Sequence, residues 1–342
     1  MNIIIVGFGT AGKFYLNLLN KFKFKKNISI LESEKIQNKP KNVSIYYKID
    51  EIKKKKLKFN FAIIATPSHL HFKFAQFFIK QKTNVLIEKP MVLKLDHAKK
   101  LIFLSNKYKI KCWVSFQNRY NKAISKLKKA INSNKIGKIS LIDCVLLWKR
   151  DHKYYKTSWR GRYKTDGGVL ANQAIHLLDC LIYVFGPIKN FNVLAGYNKK
   201  KLEAEDIIAI NFLHNKNNII SSFKATTRAD NDYRSALDII GERGRFLVKG
   251  ISLNTFSYFK KGIPIYDKKN SENFNLGLGP ISGMGNGHYK ILKEFFNKRK
   301  KSSKNLEINK NYYLLKVMHS VYNGINKNKL NKVMNKQSIW GR

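Results

Sequence analysis

The amino-acid sequence predicts an α/β chain in two parts. A doubly wound parallel sheet spans residues 1–120, and an α+β domain with an open, mostly antiparallel sheet spans 121–342. Three observations predict this. Short aliphatic runs alternate with helix-period stretches over the first 120 residues. The hexapeptide Gly7-Phe8-Gly9-Thr10-Ala11-Gly12 separates the first such run from the first helix. After Tyr120, strand-like runs follow one another across short polar turns.

In the first part the strand-like runs are Ile3–Val6, Ile28–Leu31, Val43–Tyr47, Phe61–Ala65, Val85–Ile87 and Cys112–Ser115. Helices are expected over about 11–22, 69–81 and 95–108, and Leu70, Phe74, Phe77 and Phe78 fall on one face of the second. Strands at this spacing need helical crossovers and therefore pair in parallel. In the second part a helix over 121–131 leads to a strand at Ile139–Leu147 and a loop rich in Trp, Tyr, Lys and Arg. An apolar helix over about 169–185 follows, then strands at Phe191–Tyr197, Ile207–Leu213, Ile219–Thr226, Ala236–Ile240 and Arg245–Val248. The last expected elements are helices over 286–298 and 309–325.

The glycine hexapeptide has a physical reason in this context. Gly7 permits the tight turn, Gly9 lets a pyrophosphate approach the backbone, and Gly12 lets the helix pack on the strand. The helix N-terminus offers N–H donors and the positive end of its dipole. Glu32 ends the second strand, twenty positions past Gly12, where a carboxylate accepts hydrogen bonds from an adenosine ribose. It would repel the extra phosphate of NADP, so NAD is the expected cofactor. Glu34 is near enough to take that role instead, and Lys35 could compensate a phosphate, which keeps NADP as the alternative.

The run Val85–Ile87 ends in Glu88-Lys89-Pro90, and Phe61–Ala65 ends in Thr66-Pro67, with His69 and His71 close behind. Ligands of an open α/β sheet bind beyond the carboxyl ends of its strands. Pro90 restricts Lys89 to extended backbone, so its ammonium is aimed. A desolvated lysine near other cations has a pKa lowered toward the range of proton transfer. A surface ion pair of Glu88 with Lys89 is the rival reading, and it predicts no role in turnover.

The helix from about 169 is apolar almost all round and is therefore buried. Asn172, His176 and Asp179 are spaced i, i+4, i+7, which puts them on one face. A buried polar stripe either finds partners or lines a cavity. Arg160, Arg162 and Tyr155, in the loop before it, are candidates to hold an anionic group on a substrate.

Together GFGTAG, ATPSHLH (65–71), EKP (88–90) and GGVLANQAIHLLD resemble the Gfo/Idh/MocA family of glucose–fructose oxidoreductases and inositol dehydrogenases. The resemblance extends in order to Arg119-Tyr120, Trp159-Arg160-Gly161 and Gly287-His288-Tyr289. It implies an N-terminal Rossmann domain, a C-terminal domain built on an open sheet, and nicotinamide in the cleft between them. It further implies that Lys89 and His176 perform or support proton transfer, and that the Lys89–Pro90 bond is often cis. The NQAIH wording is similar to members acting on sugars and nucleotide sugars. Two departures matter: Asp166 replaces the first of three glycines, and Asn172 stands where an aspartate is common. Asn172 is then expected to orient a hydroxyl and not to move a proton.

The expected cofactor set is Gly7, Gly9, Thr10, Ala11, Gly12, Glu32, Thr66, Pro67, His71, Glu88 and Lys89. The expected catalytic set is Lys89, His176 and Asn172, and these with Arg119, Tyr155, Arg160 and Arg162 form the substrate set.

Bulk composition narrows the partners. At 342 residues and 44% apolar content the chain suits two globular domains. No apolar run reaches the ~18 residues of a membrane-spanning helix, and the N-terminus does not read as a signal peptide. Cys112, Cys144 and Cys180 form no CxxC pair and read as reduced core residues of a cytoplasmic protein without a metal site. The formal net charge of +46 comes mainly from lysine. Runs such as Lys53–Lys56 sit between strand signals without interleaved aromatics, so they read as solvated surface and not as a specific nucleic-acid site. The expected function is an NAD(P)-dependent oxidoreductase acting on a sugar, polyol or nucleotide sugar, in a homo-oligomer. Its rivals are a non-catalytic dinucleotide-binding regulator and a basic nucleic-acid binder.

Overall fold

The structure, a computed structural model, describes residues 1–197, 202–216, 218–266, 286–297 and 306–325. The final position of the helix expected over 286–298, and residues 326–342 of the expected second domain, lie outside the described residues.

The first sheet holds six parallel strands: β1 (Asn2–Val6), β2 (Asn27–Leu31), β3 (Val43–Tyr46), β4 (Phe61–Ile64), β5 (Asn84–Ile87) and β6 (Cys112–Val114). Their order is β3-β2-β1-β4-β5-β6. Helices α1 (Thr10–Asn20), α2 (Ile49–Lys54), α3 (His71–Lys80) and α4 (Leu95–Lys107) lie between them. Ile3, Ile4, Ile5 and Val6 are all buried, as a strand covered on both faces requires. The order reverses between β1 and β4, which opens a crevice beyond the carboxyl ends of those strands. Helix α2 was not expected. It carries Lys53 and Lys54 in its last turn, and the Glu51 carboxylate caps its start by accepting from the Tyr47 and Lys48 N–H groups.

Eight strands form the second sheet: β7 (Ile139–Leu147), β8 (Ile188–Gly196), β9 (Ile207–His214), β10 (Ile220–Thr226), β11 (Arg234–Gly241), β12 (Gly244–Lys249), β13 (Thr255–Lys260) and β14 (Ile263–Tyr266). In the order β14-β13-β12-β11-β7-β10-β9-β8, only the β7–β10 pair is parallel. The sequence reading missed β13 and β14. Their signal is the two-residue turn Lys261-Gly262, both at positive φ, between β-branched and aromatic runs. Among the described residues the sheet is covered on one face only. Along β9 burial alternates, and on the open face Leu194 and Ile220 are each 51% exposed.

The remaining helices are α5 (Lys122–Asn132), α6 (His152–Tyr155), α7 (Val169–Asn172), α8 (Ile175–Phe185), α9 (Gly287–Phe296) and α10 (Ile308–Ile325). The single helix expected over 169–185 is two. The Val169 carbonyl accepts from both the Gln173 and Ala174 N–H groups, which widens one turn and lets α8 restart. Helices α9 and α10 fold back onto the first sheet, where Phe295 and Phe296 meet Phe61 edge-on and Glu307 bridges to Trp113.

Candidate active site

A cleft of about 1470 Å³ runs from the glycine loop to the loops of the second sheet. The loop between β1 and α1 forms one end. Gly7 takes φ +90°, and a Cβ at Gly12 would overlap the Gly7 carbonyl oxygen. A Cβ at Gly9 would meet nothing within 4 Å, so the backbone there stands open to a ligand. Thr10 and Ala11, at the start of α1, line the same end. Thr66 Oγ1 is buried without a partner among the described residues, and Pro67 lies beside it on the wall. Glu32, Ser33 and Glu34 line the cleft at the end of β2, and Glu32 Oε2 accepts from the Phe8 N–H at 2.6 Å. An open phosphate cradle, an unpartnered hydroxyl and a carboxylate at the ribose position fit a dinucleotide.

Further in, β5 delivers Glu88 and Lys89. The Lys89–Pro90 bond is cis. His71 does not face the cleft as expected; it is buried, with Nδ1 2.8 Å from the Pro90 carbonyl oxygen and Nε2 2.9 Å from that of Thr66. It braces the two loops that present the cofactor wall, because two strand-end carbonyls converge on it. Tyr15, on α1, donates to Glu88 Oε1 at 2.5 Å and sits 2.9 Å from Ser115. His288, at the start of α9, packs between Phe14 and Tyr15 with Nε2 3.8 Å from Glu88 Oε1. Neither Tyr15 nor His288 was singled out from the sequence as a site residue, although Gly287-His288-Tyr289 was a visible motif.

Lys89 Nζ donates to the Asn172 carbonyl oxygen at 2.7 Å, across the crevice. Burial lowers its pKa, Glu88 and Asp166 raise it, and Arg160 and Arg150 lower it further. His176 lines the cleft, and burial pushes its pKa well below the usual histidine value, with the nearby Lys89 and His288 adding to the fall. Its Nδ1 is buried without a partner among the described residues. Asn172 lines the cleft too, but its side chain donates to Asp166 Oδ2 at 2.6 Å. The substitution by Asp166 in the glycine run thus supplies the acceptor that holds Asn172.

Four expectations change. Asp179, three positions after His176 on the same helix, does not line the cleft with it but turns to Arg119. Arg119 is no substrate ligand: its Nε donates to Asp179 Oδ2 at 2.8 Å, its Nη2 reaches Asp179 Oδ1 and Asn311, and the pair is nearly buried. Arg162 is exposed and contributes its carbonyl oxygen to the turn at Thr165–Gly167. Tyr155 points away to Thr227 Oγ1 at 3.0 Å, and its neighbour Tyr154 lines the cleft in its place. A short helical turn sets that choice, and sequence spacing does not encode it. Gln117, Asn118, Trp148, Arg150 and Gln173 complete the wall and were not expected. Among the described residues no cluster of His, Cys, Asp and Glu could hold a metal ion.

A doubly wound dinucleotide fold opening on a cleft with a half-buried lysine and histidine defines the class of nicotinamide-dependent oxidoreductases. Residues 1–116 match the oxidoreductase family with NAD-binding Rossmann fold, and residues 124–247 match the GFO/IDH/MocA C-terminal domain. The chain belongs to the GFO/IDH/MocA family, and its first domain is the family's NAD-binding Rossmann domain. Among curated relatives, an uncharacterized oxidoreductase of Synechocystis is 26% identical over 56% of this chain and 55% of its own length. Glucose-6-phosphate 3-dehydrogenase of Bacillus subtilis is 28% identical over 36% of each chain. The chain thus spans about half or less of the length of these relatives. The WlbA dehydrogenase of Bordetella pertussis, solved with NADH and UDP-GlcNAcA, has the same fold, with a TM-score of 0.82 at 20% identity over 96% of both chains. Levoglucosan dehydrogenase, solved with NADH and levoglucosan, has a TM-score of 0.75 at 18% identity over 96% of this chain and 97% of its own.

Proposed function

We propose that the protein oxidises or reduces a carbinol carbon of a sugar, polyol or nucleotide sugar with NAD. The observation that carries this reading is the pairing of Lys89 and His176 in one cleft with the dinucleotide cradle. Bound NAD supplies the acceptor or donor of the hydride. The chain's own residues then manage the hydroxyl proton and the charge left on oxygen. Burial, Lys89 and His288 all disfavour a charge on His176, so it enters uncharged and able to accept a proton. Burial lowers the Lys89 pKa and Glu88 and Asp166 partly offset that fall, and as an ammonium it stabilises the developing alkoxide. Asn172 and Tyr154 shape the wall that orients the sugar.

The names of relatives and of solved structures with the same fold support the substrate class: hexose phosphate, inositol, anhydrosugar and nucleotide sugar all occur among them. The half-open second sheet, with Leu194, Ile207 and Ile220 on its bare face, supports a homo-oligomer assembled through that face. Three buried free cysteines and the lack, among the described residues, of a helix long and apolar enough to cross a membrane support a cytoplasmic setting. The lysines support no specific nucleic-acid partner. Incubation with NAD and a panel of sugars, inositols and UDP-sugars tests the activity through nicotinamide absorbance. A silent panel from a protein that binds NADH tightly would favour the non-catalytic regulator.

A further inference from the structure

The wall contributed by the second sheet's loops is rich in guanidinium. Arg160 lies over the Tyr154 ring at 3.9 Å and over Trp159 at 4.8 Å. Arg150 lies over Trp148 at 4.8 Å and over the same Tyr154 ring at 5.6 Å. All of these residues line the cleft. Aromatic faces of this kind fix the plane of a guanidinium and leave its edge free for hydrogen bonds.

The two arginines differ in how they are neutralised. Arg150 Nη1 is 3.1 Å from Asp232 Oδ1, a partly exposed pair. Arg160 makes no ion pair among the described residues, and its Nη1 donates to the Tyr154 carbonyl oxygen at 3.2 Å. Its Nε is buried without a partner among the described residues. Asp166 acts electrostatically on Arg160, but its carboxylate accepts from the Asn172 amide and makes no ion pair with the guanidinium among the described residues. Both guanidiniums line the same cleft as Lys89 and act on it electrostatically. A half-buried guanidinium with no carboxylate bonded to it, set against aromatic faces in the cleft wall, is costly unless a ligand completes it.

We propose that Arg160, assisted by Arg150 and held by Tyr154, forms a subsite for an oxyanion substituent of the substrate, a carboxylate or a phosphate. The inference rests on the sugar-oxidoreductase reading for the word substrate, and on the guanidinium geometry for the anion. A carboxylate or phosphate matches the fork of a guanidinium with two parallel hydrogen bonds. Substrate choice would follow, since a neutral sugar leaves Arg160 unpaired.

The test is calorimetric binding to the NAD-loaded full chain at about 0.15 M salt, which screens the surface lysines. Glucose, glucuronate and glucose 6-phosphate are compared on wild type, Arg160→Gln and Arg150→Gln. One charged sugar is expected to bind on the order of tenfold or more tightly than glucose, with most of that ratio lost in Arg160→Gln and part in Arg150→Gln. Whether glucuronate or glucose 6-phosphate carries the arginine-dependent ratio decides between carboxylate and phosphate. Equal affinities, no measurable binding of either charged sugar, or a ratio untouched in both variants overturns the inference. Failure of turnover with every sugar would sink the oxidoreductase reading alone, because this comparison reads binding.

Discussion

Lys89 Nζ on the first sheet and the Asn172 carbonyl oxygen at the end of α7 meet at 2.7 Å. One hydrogen bond therefore joins the two walls of the cleft at its proposed reaction centre. The ammonium that would stabilise the substrate oxygen is positioned by backbone, and the same bond ties the broken helix to the cofactor wall.

Lys89→Ala is expected to lower kcat by about 10²–10⁴-fold while NAD affinity changes little, since the ammonium acts on the transition state. Turnover and NADH binding measured side by side check this. Wild-type turnover in the variant would return Glu88 and Lys89 to the status of a structural pair.

His176 gives a pH signature. Its folded pKa lies below the usual 6.5, and it must be uncharged to accept a proton. Oxidation rates should hold steady from alkaline pH down through 6.5 and fall only below it, as the imidazole protonates. In His176→Gln the residual rate should lose that acidic limb. A limb centred above 6.5, or one retained in the variant, assigns the proton to another group.

Glu32 decides the cofactor. Glu32→Ala is expected to weaken NAD and to narrow the gap to NADP, because the carboxylate that accepts from ribose also repels a phosphate there. Fluorescence titration with NADH and NADPH measures both. Wild-type protein that prefers NADPH contradicts the assignment.

Arg119 and Asp179 form a buried pair with side chains 9% and 2% exposed. Arg119→Met leaves the carboxylate uncompensated and should cost about 3–5 kcal/mol of stability. Denaturant unfolding checks this. A loss of substrate affinity at unchanged stability would restore Arg119 to the binding set.

Glu205 is buried beneath the start of α7, where Oε1 accepts from the Leu170 N–H at 3.1 Å and the Tyr322 hydroxyl at 3.2 Å. Burial pushes its pKa from 4.5 up to about 7. The folded chain then binds the extra proton between those values, so stability should fall as pH rises from 4.5 through 7, by up to roughly 3 kcal/mol. Glu205→Gln should flatten that slope in thermal unfolding. An unchanged slope in the variant would mean that the carboxyl titrates normally.

Much of the fold is legible in the chain because local patterns and tertiary demands agree. Ile3–Val6 reads as a buried strand from its own side chains, and the glycine loop after it can serve only a close backbone approach. The lysine run 53–56 misled because charge pattern describes a surface and not its backbone; Glu51, capping α2, was the better signal. In the stripe of Asn172, His176 and Asp179 the first two still share the cleft across the widened turn, and Asp179 is lost to it because Arg119, from a distant segment, takes its carboxylate. Tyr154 and Tyr155 carry equal chemistry, and a neighbouring turn chose between them.

By itself the sequence determined the two-sheet plan, the phosphate loop, Glu32 at the end of β2, and a lysine and a histidine bound for the same crevice. Each follows from short-range rules: period, turn chemistry and strand ends. Only the tertiary structure decided that Arg119 is spent on Asp179 while Arg160 keeps a free edge, and that Asn172 serves Lys89 through its carbonyl and Asp166 through its amide. It alone decided that His288, 112 positions after His176, returns to the cofactor wall. Which buried charges pair and which stay open depends on contacts between distant segments, and no local pattern records those.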